Sequence, residues 1–274
     1  MTKIISFIGA GNMATSLIGG LVSDGHKPDH IRAADPSAEQ CERVRREFSI
    51  EIFDDNNQAI DGADIVVLAV KPQVMPEVAS ALSAAAAENR PLVVSVAAGI
   101  REPDLRRWLG YDAAIVRTMP NTPALVQCGA TALFANEFVD QAARDDAQGV
   151  MRAVGITEWV EHEVLLDAVT AVSGSGPAYC FLLLELMTNT GVSMGLDKPV
   201  AKRLALQTVL GAATMAMKSE HNPARLRENV TSPGGTTEAA LNILYEGGVE
   251  ALFDRALKGA QARAVELGQM LGDD

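Results

Sequence analysis

The stretch "KIISFIGAGNMA", residues 3–14, decides how the rest of the chain reads. A short apolar run ends at Gly9. Gly9, Gly11 and Ala14 then form a G-x-G-x-x-A string where a helix over 12–24 is expected to open. Each position has a physical reason. Gly9 permits a tight turn, Gly11 lets backbone approach a pyrophosphate, and a small third residue lets helix and strand pack closely. Alone the string is weak; at the first strand-to-helix turn of an alternating chain it points to a dinucleotide.

Outward from that turn the alternation continues. "IRAAD" (31–35) reads as a second strand followed by a charged helix over 37–48. "DIVVLAV" (64–70), "LVVSVAA" (92–98) and "AAIVRTMP" (113–120) read as buried strands, apolar without alternation. Residues 130–135 and 156–161 are further β candidates that complete or edge the sheet. Strands separated by helices predict an α/β, doubly wound, mostly parallel sheet covered on both faces. From 163 the pattern becomes helical, over 163–196, 198–218, 237–246 and 249–271. The expected domains are therefore 1–162, binding a dinucleotide, and 163–274, all-α. "AYCFLLLELM" (178–187) carries only Glu185, and "LALQTVLGAATMAM" (204–217) carries no charge. Helices without a polar face need cover on most sides. A small helical domain cannot supply that alone, so a second subunit is expected.

A formal charge of -12 disfavours nucleic acid and anionic membrane as partners. No uninterrupted apolar run approaches the ~20 residues of a membrane span. Cys41, Cys128 and Cys180 form neither a disulfide framework nor a zinc pattern, which suits reduced thiols and a cytoplasmic location.

Loops at the predicted strand ends supply the candidate site. Asp35 stands where an acid bonds the adenosine ribose of NAD and repels a 2′-phosphate; Ser37 follows, and no Arg or Lys appears until Arg43. That favours NAD tolerance or dual use, and the choice between NAD and NADP stays open. Lys71 in "AVKP" (69–72), the loop "VAAG" (96–99), and Asn121 in "MPNTP" (119–123) lie at three more strand ends. Asn121 reads as either a ligand-facing amide or a turn former. In "SGSGPAY" (173–179), Ser173 and Ser175 either line the pocket or mark a Gly-Pro helix break. In "NVTSPGGTTEAA" (229–240), hydroxyls and N–H groups around Gly234, Gly235, Thr236 and Thr237 suit an anion at a helix start. Thr237 reads as either an N-cap or a group that orients or relays a proton.

Taken together and in this order, FIGAGNMA, AVKP, SVAAG, MPNTP, AVSGSGPAY and the final loop resemble pyrroline-5-carboxylate reductase along essentially the whole chain. The resemblance implies a Rossmann domain followed by a helical dimerisation domain, with dimers that assemble further into rings. It implies NADPH- or NADH-dependent reduction of the cyclic imine 1-pyrroline-5-carboxylate to L-proline, without a metal. It places cofactor contacts at Gly9, Ala10, Gly11, Asn12, Met13, Asp35 or Ser37, Asn56, Ala69, Val70, Lys71, Pro72, Ala97, Ala98 and Gly99. Substrate contacts fall at Val230, Thr236 and Thr237, with Glu220 as an acid near the pocket. Ala14 departs from the third glycine of the pattern.

The chemistry agrees with the residue types. A protonated cyclic imine accepts hydride without covalent help, so positioning suffices. His26, His30, His162 and His221 lie in no Gly-rich loop. A β-hydroxyacid dehydrogenase needs a base for its hydroxyl proton. Here the helix after 173–176 continues "PAYCFLLLELM", with no Lys or His. A dinucleotide sensor without catalysis would leave the 229–240 loop idle.

Overall fold

A computed structural model describes residues 3–272. The described residues divide into two compact units, 3–175 with 259–272, and Gly176–Lys258.

The first unit is built on an eight-stranded sheet in the order β3-β2-β1-β4-β5-β6-β7-β8. In chain order its elements begin with β1 (Ile5–Ile8), α1 (Asn12–Ser23), β2 (Ile31–Ala34), α2 (Ala38–Phe48), β3 (Glu51–Phe53) and α3 (Asn56–Ile60). They continue with β4 (Ile65–Leu68), α4 (Met75–Asn89), β5 (Leu92–Ser95), α5 (Glu102–Leu109) and β6 (Ile115–Met119). β7 (Gly129–Ala135), α6 (Gln141–Arg152), β8 (Gly155–Trp159) and α7 (Leu165–Val169) complete the run. All pairs are parallel except β6 with β7.

Parallel strands are covered on both faces, which is why β1, β4 and β5 are buried throughout and read as unbroken apolar runs. Leu17 and Ile18 of α1, Val44 of α2 and Met151 of α6 pack one face. Met75 and Leu82 of α4 with Leu105 and Trp108 of α5 pack the other. Ser37, Asp55 and Asp140 cap α2, α3 and α6, accepting from the N–H of Gln40, Gln58 and Ala143. Such caps each contribute about 0.5–2 kcal/mol. The edge strand β3 has no signature in the sequence, because three residues are too few to display a period.

The helix expected to run from 163 to 196 is interrupted. After α7 comes a π-helical turn, Thr170–Gly174, and only then α8 (Gly176–Ser193). Ser175 N–H bonds Thr170 O at 2.8 Å, five residues back. Pro177 has no N–H to offer the carbonyl of Ser173 four residues earlier, so regular winding fails there.

The second unit holds α8, α9 (Lys198–Lys218), α10 (Pro223–Asn229), α11 (Thr236–Glu246) and the first part of α12 (Val249–Gly272). The short α10, capped by Asn222, was not expected from the sequence. Gly191 of α8 lets α9 approach closely, since a Cβ there would stand 3.3 Å from Ala201 Cβ. Beyond that contact the helices are bare: Phe181, Leu182, Leu183 and Leu186 of α8 and Leu206 and Leu210 of α9 are all exposed. By length and composition the helical run Leu165–Ser193, its π-helical turn included, is apolar enough to cross a membrane, and only 6% of its apolar window is buried.

Candidate functional site

The strand order turns back between β1 and β4, so the loops leaving their carboxyl ends open a crevice at that point. Gly9 stands there with φ +100°, and a Cβ on it would meet Ala69 O at 2.7 Å. Only glycine fits between the two loops. Gly11 is different: it is the N-cap of α1 with φ -69°, and a Cβ on it would meet nothing within 4 Å. The first turn of α1 has neither a capping side chain nor an acid, which leaves its leading N–H groups for an incoming anion. That cradle fits a pyrophosphate. Ala14 is fully buried, which accounts for a small residue in the third position.

Around this cradle lie the other candidate dinucleotide residues. Asp35 accepts from Ala10 N–H through one carboxylate oxygen and from Ser37 N–H through the other, each at 2.8 Å. It therefore braces the Gly-rich turn, with one lone pair left on each oxygen. Beneath it, burial pushes the Cys41 thiol up, and the neighbouring Asp35 and Asp54 carboxylates add to the shift. Its S–H bonds Asp35 O at 3.3 Å. Ser37 Oγ accepts from Gln40 N–H and keeps its own proton for another partner. Asn56 opens α3 and is half-buried. Ala69 to Pro72 follow β4, with Lys71 exposed; Ala97 to Gly99 follow β5. Arg43, distant in sequence from the turn, reaches back to it: Nη2 donates to Thr15 Oγ1 at 2.9 Å and to Ala10 O at 3.4 Å.

Asn121 has a different employment from the ligand contact considered above. Its Nδ2 donates to Ser173 O at 3.0 Å, and its Oδ1 accepts from Ala130 N–H at 2.9 Å. Ser173 O is the carbonyl that Pro177 leaves without a donor, so Asn121 satisfies it and pins the π-helical turn to β7. Replacing Asn121 with the isosteric Asp removes that donor and turns an oxygen towards Ser173 O. The expected result is a loss of about 1–3 kcal/mol in urea unfolding; an unchanged midpoint would show that the bond contributes nothing. Ser173 Oγ is engaged with Val169 O at 3.1 Å, whereas the Ser175 hydroxyl bonds no described residue.

A buried ionic network ties the same region to the sheet, and no sequence pattern announces it. Arg117 of β6 donates to Glu163 Oε1 at 2.5 Å, and the same oxygen accepts from Glu102 N–H. Arg101 bonds Asp167 of α7 at 2.8 Å. Burial lowers the affinity of Arg117 for its proton, and Glu163 offsets part of that. Asn136 Nδ2 joins Glu102 Oε1 and Ala113 O.

In the second unit, the final loop ends at α11, whose N-cap is Gly235. Gly235 N–H bonds Ser232 O at 2.9 Å, and Gly234 N–H bonds Glu238 Oε2 at 2.7 Å. The N–H groups of Thr236 and Thr237 begin the helix and have no acceptor within it. Neither threonine side chain caps the helix, which removes capping as the reason for Thr237. Glu238 was missed by the sequence reading, although an acid in the first turn of a helix is a recognisable signal. Val230 ends α10 and Glu220 lies between α9 and α10; both are exposed. Among the described residues no group of His, Cys, Asp and Glu could hold a metal ion.

Comparison with known proteins decides what this arrangement belongs to. Residues 163–267 match the family described as pyrroline-5-carboxylate reductase dimerisation, and residues 4–99 match NADP oxidoreductase, coenzyme F420-dependent. A pyrroline-5-carboxylate reductase of Pseudomonas aeruginosa is 52% identical over 271 residues, covering 99% of each chain. The chain belongs to the pyrroline-5-carboxylate reductase family. The structure of the Coxiella burnetii reductase superposes with a TM-score of 0.94 at 43% identity, covering 97% of this chain and 99% of that one. The Plasmodium falciparum pyrroline carboxylate reductase, solved with NADP bound, gives 0.86 at 28% identity over 97% and 98%. As a pyrroline-5-carboxylate reductase the enzyme reduces 1-pyrroline-5-carboxylate to L-proline with a nicotinamide dinucleotide, in proline biosynthesis. Its exposed apolar α8 and α9 lie within the dimerisation segment, and it is an oligomer.

Proposed function

We propose that the substrate carboxylate is held at the start of α11, that the dinucleotide lies along the Gly9–Met13 turn, and that both NADPH and NADH are accepted. The observation that carries the carboxylate assignment is the pair of uncommitted N–H groups at Thr236 and Thr237, beside two uncommitted hydroxyls. They supply directed donors in a chain whose overall charge repels an anion. Reduced nicotinamide supplies the hydride. Residues 1–162 serve the dinucleotide and 163–274 serve dimerisation and substrate, consistent with the two family matches.

The chain's own work is placement. Thr236 and Thr237 N–H groups fix the ring by its carboxylate, and the Thr237 hydroxyl bonds the ring nitrogen and keeps it protonated. The Ser175 hydroxyl is left for the nicotinamide, while Ser173 and Asn121 hold the turn that carries it. Glu238 draws Gly234 N–H into the helix, which leaves that donor out of the anion site. No metal is needed, since a protonated imine is already electrophilic. The bare faces of α8 and α9, including the run with membrane-like composition, are covered by a partner subunit, with dimers joining into a ring in the cytoplasm.

The test compares 1-pyrroline-5-carboxylate with 1-pyrroline, which lacks the carboxylate. After dialysis against EDTA, turnover with NADPH and with NADH is expected to persist. The value of kcat/KM for 1-pyrroline should be at least about tenfold lower, the worth of a charge-assisted hydrogen bond. Equal use of the two imines would remove the anion site from the loop.

A further inference from the structure

Arg43 is a half-buried cation without a counter-ion. Its guanidinium is held by two neutral oxygens, Thr15 Oγ1 and Ala10 O, and pairs with no carboxylate among the described residues. Its Nε is buried and bonds nothing, and the Gln40 side-chain oxygen, one helical turn earlier, is likewise buried and unsatisfied. Both residues line a cavity of about 360 Å³ on α2, with Glu39, Glu42 and Arg46. Glu42 is paired with Arg45, so Arg43 and Arg46 face one uncompensated carboxylate, Glu39. A guanidinium fixed in place without an ion pair retains donors for an incoming anion.

The position of that cation selects the anion. Arg43 touches the backbone of the Gly-rich turn at Ala10, whose N–H is the one braced by Asp35. Asp35, the residue expected to repel a 2′-phosphate, has both carboxylate oxygens drawn towards backbone N–H groups. Ser37, two residues on, retains a hydroxyl proton beside the same turn. We propose that Arg43, assisted by the Ser37 hydroxyl, binds a phosphate monoester on the 2′-oxygen of the adenosine ribose, and so is the residue that favours NADPH over NADH. The proposal rests on the dinucleotide lying along the Gly9–Met13 turn. It reverses the expectation drawn from Asp35, because helix α2 brings across to the turn a cation that lies eight residues further along the sequence.

The test uses binding of two fragments to the full-length protein by calorimetry, adenosine 2′,5′-bisphosphate and AMP, which differ only in the 2′-phosphate. The wild-type chain is expected to prefer the bisphosphate. Arg43→Gln should cut the ratio of the two affinities about tenfold or more, and Arg43→Lys should restore part of it. The ratio of kcat/KM for NADPH over NADH should fall in parallel. An unchanged ratio in Arg43→Gln would overturn the assignment. So would an equal weakening of both fragments, which would make Arg43 only a brace for the turn. If the wild-type chain binds neither fragment, the dinucleotide site itself is misplaced and the inference falls with it.

Discussion

Thr237→Ala is expected to lower kcat about a hundredfold, at the low end of what a positioned proton-handling group contributes, while dinucleotide affinity stays near wild type. Gly235 is the N-cap, so the Thr237 hydroxyl has no capping bond to lose, and alanine is a better helix former than threonine. The variant should therefore fold as well as the parent. The Thr237 N–H is retained, so the proposed carboxylate site keeps its backbone donors and KM for the imine should change little. What disappears is the hydroxyl proposed to bond the ring nitrogen. Bound imine accepts hydride only while its nitrogen carries a proton, so losing the group that favours the protonated form lowers kcat more than it raises KM. The slope of rate against pH should also change, since the nitrogen then loses its proton at lower pH. If Thr237→Ala weakened dinucleotide binding as much as turnover, the hydroxyl would belong to the scaffold.

Gly11→Val should abolish most activity for the opposite reason, leaving the fold intact while filling the space above α1. A Cβ at Gly11 meets no atom within 4 Å, and φ of -69° suits any residue. Replacing the N-cap glycine by valine is expected to cost about 1 kcal/mol of stability, not the fold. Yet the isopropyl group would stand where the pyrophosphate approaches, and a displacement of about 1 Å costs on the order of a hundredfold in kcat/KM. Gly9 cannot give so clean a result. Its substitution drives a Cβ into Ala69 O and strains a left-handed backbone, so loss of fold and loss of binding would be confounded. Titration of AMP against Gly11→Val and wild type, with thermal unfolding of both, makes the comparison. Undiminished AMP affinity in Gly11→Val would place the dinucleotide elsewhere.

The interrupted helix and the cofactor residues show where local reasoning runs out. "SGSGPAY" announces a break through its Gly-Pro pair, but not that the break is a π-helical turn. Nor does it show that Asn121, more than fifty residues earlier, supplies the donor that Pro177 removes. Glu163 looks like an unremarkable charge before a helix; only the fold places it, half-buried, against Arg117 and the Glu102 N–H. The strand β3 is invisible because it is stabilised by its neighbour β2 and not by a pattern of its own.

The sequence alone determined the parallel sheet, the Gly-rich turn and the apolar helices, because each depends on residues close together in the chain. A turn needs its own glycine, a buried strand its own unbroken apolar run, and a helix its own period. Tertiary structure decided which way Asp35 faces, which cation reaches the Gly-rich turn and which donor closes the Ser173 carbonyl. Those outcomes depend on groups that meet only when strands and helices from separate parts of the chain are packed. A charge or an amide has no direction until its neighbours in space are fixed.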